Sequence, residues 1–269
     1  MKTIIVATDF SKEAENALEY TGALAKLSGS KVVIFNSYSL PLHTSNSVLP
    51  ARSILKLEET NRLLLKERAE NLGDKYGIKV EHQSGLFLVL EDELERIFKK
   101  YNAELVVMGM ASSSIEQDIF GNTTTSVILQ LKYPVLAVPL KATFQKSKNI
   151  LFACENIEKV KKKVKQNVKD LARQLEAQIE IFHVEGSLQH KKMARTEKVI
   201  PDFEDVDYSY KSKNADSVIK AIEEEIRSFD AGMLVMIPQE RGFWGSLLHR
   251  SKTRMMASGL SIPLLSLPQ

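Results

Sequence analysis

The 269 residues are enough chain for one large domain or for two of ordinary size. Hydrophobic residues make up 43% and charged residues 26%, as in a folded globular protein, and a net charge of +3 is too small to indicate a nucleic-acid partner. The single cysteine, Cys154, excludes an internal disulfide, and no run reaches the roughly 20 apolar residues of a membrane span. We therefore expect a cytoplasmic protein without a membrane or nucleic-acid partner.

The first half of the chain alternates predicted strands with predicted helices. Residues 3–8 are a nearly continuous apolar run, which is typical of a strand buried on both faces. Ser11 is placed to cap the next helix, and Gly29 to end it. Further along, the pattern predicts a loop at 38–56, strands at 32–36, 79–84, 104–108 and 134–139, and helices at 57–76, 90–101 and 122–131. Strands separated by helices of this length predict an α/β fold with a parallel sheet.

The second half repeats the first. Four apolar segments recur in the same order: 2–9 with 148–155, 32–37 with 179–184, 103–108 with 231–236, and 133–139 with 262–268. We therefore predict two similar doubly wound, Rossmann-like domains in tandem, residues 1–145 and 146–269, joined by the polar segment 140–148. Apolar residues at every third or fourth position from Val160 to Leu171 predict an amphipathic helix with its lysines in solvent.

A candidate ligand site follows from the predicted topology. Ligands of open parallel sheets bind beyond the carboxyl ends of the strands, near the point where the strand order reverses. The residues that follow the strands in the first half, or open the helix at 122–131, are Thr8, Asp9, Ser37, Gly109, Ser112, Gly121, Asn122 and Thr123. Small residues at a helix start leave backbone N–H groups free for a phosphate, and Asp9 could accept hydrogen bonds from ribose hydroxyls.

The pattern resembles the universal stress protein family, over nearly the whole chain as two family domains. In nucleotide-binding members, an aspartate after the first strand contacts the ribose. A later strand ends in a glycine, two residues and a second glycine; nine residues on comes a glycine followed by Ser or Thr. Asp9, Gly109 and Gly121 match this pattern, and Ser37 falls where the family's main chain meets the adenine.

Two positions depart from the family pattern. Ser112 stands at the second glycine, with eight residues between it and Gly121, and adds a side chain where the backbone should approach a phosphate. Asn122 replaces the usual hydroxyl residue, although Thr123 follows it and can substitute.

The resemblance implies a stress-response regulatory protein that binds ATP or a related adenine nucleotide in the first domain, with Mg²⁺ as a candidate companion ion. It implies no side-chain catalysis and leaves the protein partner unidentified. It also implies that strands 133–139 and 262–268 pair within one chain as an intramolecular pseudo-dimer, with further oligomerisation open.

The second copy departs further, which predicts a degenerate site. Glu155 stands at the aspartate position, Ile237 and Pro238 at the first glycine, and Arg250 at the position of Gly121. Binding of another anion by residues 249–254 stays open. So do a scaffold protein with vestigial sites and a slow ATPase with Glu116 or Asp118 as base. The histidines lack metal-ligand spacing, and no catalytic triad can be assembled.

Overall fold

The computed structural model describes residues 2–38, 51–86, 89–110, 121–145, 149–185, 200–238 and 261–269. Helices and strands alternate along these ranges. The first half contains β1 Thr3–Ala7, α1 Lys12–Ser28, β2 Lys31–Tyr38, α2 Ala51–Tyr76, β3 Val80–Leu86, α3 Leu90–Lys100, β4 Leu105–Met110, α4 Gly121–Gln130 and β5 Val135–Pro139. The second half contains β6 Asn149–Ala153, α5 Lys162–Leu175, β7 Gln178–Glu185, β8 Tyr208–Asn214, α6 Val218–Ser228, β9 Met233–Met236 and β10 Leu264–Ser266, with short 3-10 helices at Ile157–Lys159 and Pro201–Phe203.

The ten strands of the described residues form one sheet in the order β3-β2-β1-β4-β5-β10-β9-β6-β7-β8. Neighbouring strands are parallel except β5 and β10, which pair antiparallel with Leu136 opposite Leu265. The strand order reverses twice, once between β1 and β4 and once between β6 and β9. The predicted α/β class with a predominantly parallel sheet is confirmed.

Helix α1 shows how local sequence sets the start of the first unit. The Ser11 side chain accepts a hydrogen bond from the main-chain N–H of Ala14, and Gly29 closes the helix in the left-handed conformation at φ 65°. The apolar side chains of α1, which include Ala17 and Leu24, are buried against the sheet. The turn before α1 is therefore fixed from both sides, by β1 and by the cap.

Each face of the sheet carries its own apolar core. One core lies under α1, α2 and α5, where Leu65 and Val168 are fully buried. The other lies under α3, α4 and α6, with Ile97 and Val127 fully buried. Because both faces are covered, the central strands are apolar throughout, as the sequence predicts for β1, β4 and β5. Within the described residues, no helix combines the length and apolar character that crossing a membrane requires.

Three predicted bounds are wrong. Helix α2 begins at Ala51, so residues 51–56 are helical and do not belong to the predicted loop. Strand β4 runs on to Met110 because that side chain is buried and its backbone pairs with Pro139 of β5. Strand β2 likewise continues to Tyr38, alongside β3. Gly109 and Ser37 are thus strand residues, although the sequence places them after their strands.

The lysines of α5 do not all face solvent. The Lys165 side chain is only 8% exposed and lies 2.6 Å from the Asp202 carboxylate. Lys169 lies 3.2 Å from Asp205. The segment around Pro201–Phe203 packs over this side of α5, with Phe203 fully buried. Part of the α5 face that the sequence predicts to be in solvent therefore makes ion pairs with a neighbouring segment.

Candidate functional site

The candidate site lies at the first reversal of strand order. Parallel strands β1 and β4 are neighbours, and their register pairs Ala7 with Met108. Thr8 therefore lies level with Gly109, at the carboxyl ends of both strands. In an open α/β sheet this crevice is where ligands bind, because the crossovers on its two sides lead to opposite faces.

The turn that carries Asp9 is held by its own side chains. Phe10 adopts a left-handed φ of 65°, and its N–H donates to Thr8 Oγ1 at 3.0 Å. Asp9 Oδ1 accepts from the Ser11 N–H at 3.0 Å and from Ser11 Oγ at 2.5 Å. The Asp9 side chain is otherwise exposed. One carboxylate oxygen is thus committed to the turn, and the group is presented at the edge of the sheet.

Asn36 is a residue of this edge whose role the sequence reasoning missed. Its side chain is 3% exposed, and its amide nitrogen donates to the Thr8 carbonyl at 2.8 Å. Its oxygen Oδ1 has no hydrogen-bond partner among the residues the structure describes. A buried acceptor without a partner costs about 1–3 kcal/mol. In the sequence, the sign of this role is that a polar residue, Asn36, directly follows the apolar run 32–35.

Ser37 lies beside Asn36, half-buried in β2 and paired with Gly85 of β3. Its backbone therefore takes part in the sheet. Backbone groups alternate sides along a strand, and those of Lys31 and Phe35 bond to Lys2 and Thr8, so the Ser37 backbone faces the β1 side, where the predicted main-chain contact with a base would be made.

Gly109 has a structural reason to be glycine. A Cβ atom added there would lie 2.5 Å from the Glu13 carbonyl carbon and 2.7 Å from the Ala14 nitrogen. These are backbone atoms of α1, which cannot give way as a flexible side chain can. The glycine thus lets the first turn of α1 lie directly against the end of β4.

The start of α4 is tied to the same place. Thr124 Oγ1 donates to the Gly109 carbonyl at 2.9 Å. Gly121 and Asn122 form the first turn of this helix, together with Thr123, whose side chain is exposed. Because the first N–H groups of a helix lack intrahelical partners, this end can receive an anion. Thr124 is a residue that the sequence reasoning did not single out.

Seven of the eight predicted site residues are therefore located. Thr8, Asp9, Ser37 and Gly109 share one edge of the sheet, and the Thr124–Gly109 hydrogen bond ties the helix of Gly121, Asn122 and Thr123 to β4. Ser112, Glu116 and Asp118 lie outside the described residues.

A cation also approaches this edge, from α2. The Arg68 guanidinium carbon lies 4.8 Å from the centre of the Phe10 ring, next to Asp9 in the chain. Arg68 Nε donates to Glu15 Oε1 at 2.5 Å, so the guanidinium is already paired. Arg68 therefore stabilises the Phe10 turn, and its charge is shared with Glu15.

The second reversal of strand order, between β6 and β9, is lined mainly by buried apolar residues. Cys154 and Ile237 follow these strands and are 4% and 2% exposed. His183 Nδ1 lies 3.3 Å from the Cys154 carbonyl oxygen. Glu155, Cys154 and Phe182 line a cavity of about 10 Å³, room for a single water molecule. Burial, the main cause, raises the pKa of the Cys154 thiol to about 12. Arg250 and the rest of 249–254 lie outside the described residues.

A larger cavity, of about 810 Å³, lies elsewhere, along the β5–β10 seam between α1 and α5. Leu24, Leu171 and Leu265 are among its apolar lining, and its described lining contains none of the predicted site residues. Among the described His, Cys, Asp and Glu residues, no group of three could hold a metal ion.

Comparison with known proteins identifies the family. Residues 1–139 match the model of the universal stress protein family. The chain belongs to the universal stress protein family. The predicted resemblance is therefore confirmed over residues 1–139. Among curated proteins, none matches the chain significantly.

Solved structures agree in fold. A universal stress protein from Archaeoglobus fulgidus is 18% identical, with 99% of this chain and 96% of that chain covered and a TM-score of 0.74. A functionally unknown protein from Pseudomonas aeruginosa is 11% identical, with 100% and 92% covered and a TM-score of 0.56. At these identities the likeness shows the fold alone.

Universal stress proteins in complex with small nucleotides match about half of the chain. One, in complex with cAMP, is 22% identical, with 51% of this chain and 96% of that chain covered and a TM-score of 0.40. Another, from Archaeoglobus fulgidus in complex with dAMP, is 24% identical, with 51% and 97% covered and a TM-score of 0.36. Scores this low support no conclusion about the ligand of this chain.

Proposed function

We propose that the first half of this universal stress protein binds an adenine nucleotide at the edge formed by β1, β2 and β4, and acts as a regulatory binding protein without side-chain catalysis. The observation that carries the proposal is the meeting of Asp9, Gly109 and the first turn of α4 at the reversal of strand order. Family membership supports it, because nucleotide-binding members carry an aspartate and glycines at these positions.

The described residues suit such a ligand. The outer oxygen of Asp9 would accept from ribose hydroxyls while Oδ1 holds the turn. The backbone N–H groups around Gly121 and Thr123 would receive a phosphate. Asn36 Oδ1 is a buried acceptor beside Thr8 that a donor from a ligand or a bound water would satisfy. Mg²⁺, where present, would enter with the phosphates.

Thermal unfolding with and without ATP tests the proposal. A ligand that binds only the folded state adds RT ln(1 + [L]/Kd), about 2.7 kcal/mol at a hundredfold excess over Kd. We expect ATP to raise Tm, and Gly121→Arg to abolish the rise by filling the phosphate position. An unchanged Tm at millimolar ATP and ADP would overturn the proposal.

Asp9→Asn tests the contribution of the aspartate to nucleotide binding separately from its contribution to folding. Asparagine keeps an acceptor oxygen for Ser11, so the Tm without nucleotide should be unchanged. The ribose would lose a charged acceptor, so the rise produced by ATP should shrink. Asp74→Asn, an exposed acid on α2 away from the site, is the matched control and should leave the ATP response intact.

A scaffold protein without a nucleotide is the second candidate, and two contacts favour it. Asp9 is already used in its own turn, and Gly109 is required by the packing of α1. Both positions therefore have structural roles that need no ligand. Mass spectrometry of the supernatant from denatured protein separates the candidates: a co-purified nucleotide favours binding, and its absence together with an unchanged Tm favours the scaffold.

We also propose that residues 1–145 and 146–269 are two domains that pair as an intramolecular pseudo-dimer. The antiparallel pairing of β5 with β10 supports this division, as does the mirrored strand order on its two sides. A fragment ending at residue 145 would leave the buried β5 edge unpaired, so it should dimerise or aggregate. Sedimentation that gave a stable monomeric fragment would contradict the pairing.

A further inference from the structure

Two buried carboxyl groups meet in the second half, between β7 and α6. The side chains belong to Glu180, 7% exposed, and Glu225, 3% exposed. Lys211 Nζ of β8 and Ser228 Oγ of α6 both donate to Glu225 Oε1, at 2.5 and 2.6 Å. Glu180 Oε1 has no hydrogen-bond partner among the described residues. Three ionisable groups, Glu180, Glu225 and Lys211, thus share a site in which the lysine is hydrogen-bonded to Glu225.

The two carboxyl groups have opposite preferences for a proton. Burial, followed by the charge of Glu225, raises the pKa of Glu180 from 4.5 to about 7. Burial also opposes ionisation of Glu225, but the hydrogen bonds from Lys211 and Ser228 outweigh it and lower that pKa. A protonated Glu180 can donate to the Glu225 carboxylate, so one proton serves both groups.

The first half shows that apolar residues can fill these positions. The aligned segments place Val33 where Glu180 stands, and each is paired in register with the first strand of its half. Ile97 precedes Ala103 by the same six residues that separate Glu225 from Ala231. Val33 and Ile97 are both fully buried. Burying two carboxyl groups costs more free energy than burying an apolar pair, so the second half uses a costlier contact where the first half uses an apolar one.

We propose that Glu180 and Glu225 form a proton-dependent latch, which holds α6 on β7 and β8 while the pair shares one proton and loosens when that proton is lost. Two negative charges in a buried site repel each other, and Lys211, which is paired with Glu225, can neutralise only one of them. The latch responds to pH near neutrality and is independent of the nucleotide site in the first half.

The surroundings contain few other groups that could interfere. From β6, the residue opposite Glu180 is Leu151; from β8 it is Ser209. The neighbouring charged residues on α6 are Glu224 and Arg227, with Lys220 and Glu223 on the preceding turns. Glu224 is ion-paired with Lys213 of β8 at 2.5 Å, in a more exposed position than Glu225.

The direction of the pH effect follows from the raised pKa of Glu180. The folded protein holds this proton more tightly than the unfolded chain does. Its contribution to stability is therefore complete below pH 4.5 and is lost as the pH rises to about 7. The lowered pKa of Glu225 acts below its ordinary value of 4.5, outside this window.

Glu180→Gln tests the latch in the full-length protein, because its amide can donate to Glu225 at every pH. We expect its Tm to match the natural protein at pH 5 and to exceed it by roughly 3–6 °C at pH 8. Hydrogen exchange at pH 8 should be slower across 218–228 in the variant. Glu224→Gln, on the same helix in the exposed pair, should follow the natural protein's pH dependence.

A triple variant copies the first half: Glu180→Val, Lys211→Gln and Glu225→Ile reproduce Val33, Gln83 and Ile97. In this variant, the change in Tm between pH 5 and pH 8 that the latch causes in the natural protein should be absent. The triple variant also serves as the test if Glu180→Gln does not fold. The latch would be overturned if the Tm of Glu180→Gln differed from that of the natural protein by the same amount at pH 5 and at pH 8. So would a triple variant that kept the natural pH dependence.

Discussion

Thr124 and Gly109 connect the two elements that form the phosphate side of the candidate site. The threonine hydroxyl donates to the glycine carbonyl at 2.9 Å, across a sequence separation of 15 residues. The hydrogen bond fixes the first turn of α4 against the end of β4. The position of Gly121 and Thr123 relative to Asp9 therefore depends on a hydrogen bond from Thr124, which is not one of the predicted ligand-binding residues.

Replacing Thr124 with valine should separate these roles. Valine keeps the shape of the buried side chain but leaves the Gly109 carbonyl without this donor. We expect a loss of about 1 kcal/mol in the free energy of unfolding and a smaller rise of Tm with ATP. Thr123→Val, at an exposed position in the same turn, should leave the free energy of unfolding without nucleotide nearly unchanged. Urea unfolding of both variants measures the difference.

Gly109→Ala should destabilise the protein whether or not a nucleotide is present. The new Cβ would lie 2.5 Å from the backbone of Glu13, so α1 would have to move away from β4. Overpacking of this kind costs about 1–3 kcal/mol. Urea unfolding without ligand measures it, and an unchanged midpoint would show that α1 does not need the close approach.

The sequence predicted most of the fold because its signals are local. Ser11 and Gly29 cap α1 as predicted, and the apolar runs of β1, β4 and β5 lie in the sheet as predicted. The predicted end of β4 was wrong because a glycine after an apolar run also indicates a turn. Only the pairing of Met110 with Pro139 shows that the strand continues.

The candidate site was less predictable, because its contacts join distant parts of the chain. Asn36 reaches the Thr8 carbonyl only through the register of β1 and β2. Thr124 reaches Gly109 only once α4 lies against β4. The apolar spacing within α5 could not reveal that Asp202 covers Lys165. Composition and periodicity carry no information about such partners.

Breaking the Lys165–Asp202 contact should destabilise the protein. Asp202→Asn would leave the ammonium group of Lys165, 8% exposed, without a counter-charge. We expect a clear fall in Tm, because a buried cation without its partner is costly. Glu59→Gln, which breaks the exposed pair of Glu59 with Arg62, is the matched control and should change Tm little. Similar Tm values for the two variants would contradict a structural role for Asp202.

That pair should also respond to acid. The hydrogen bond from Lys165 lowers the pKa of Asp202. The folded protein therefore binds this proton more weakly than the unfolded chain, so the stabilisation is present above pH 3.8 and is lost as the pH falls below it. Asp202→Asn should unfold with a weaker acid dependence than the natural protein below pH 4.5. Acid titration followed by circular dichroism gives the comparison, and identical curves would count against it.

Cys154 gives a prediction about the second reversal of strand order. Burial raises the pKa of its thiol to about 12, so at pH 8 the folded protein holds almost no thiolate, the reactive form. A thiol-specific reagent should react much more slowly with the folded protein than with protein unfolded in urea at the same pH. Because the chain has one cysteine, the rate reports this site alone. Rapid reaction of the folded protein would mean that the end of β6 opens to solvent, and that a ligand could enter the second half as well.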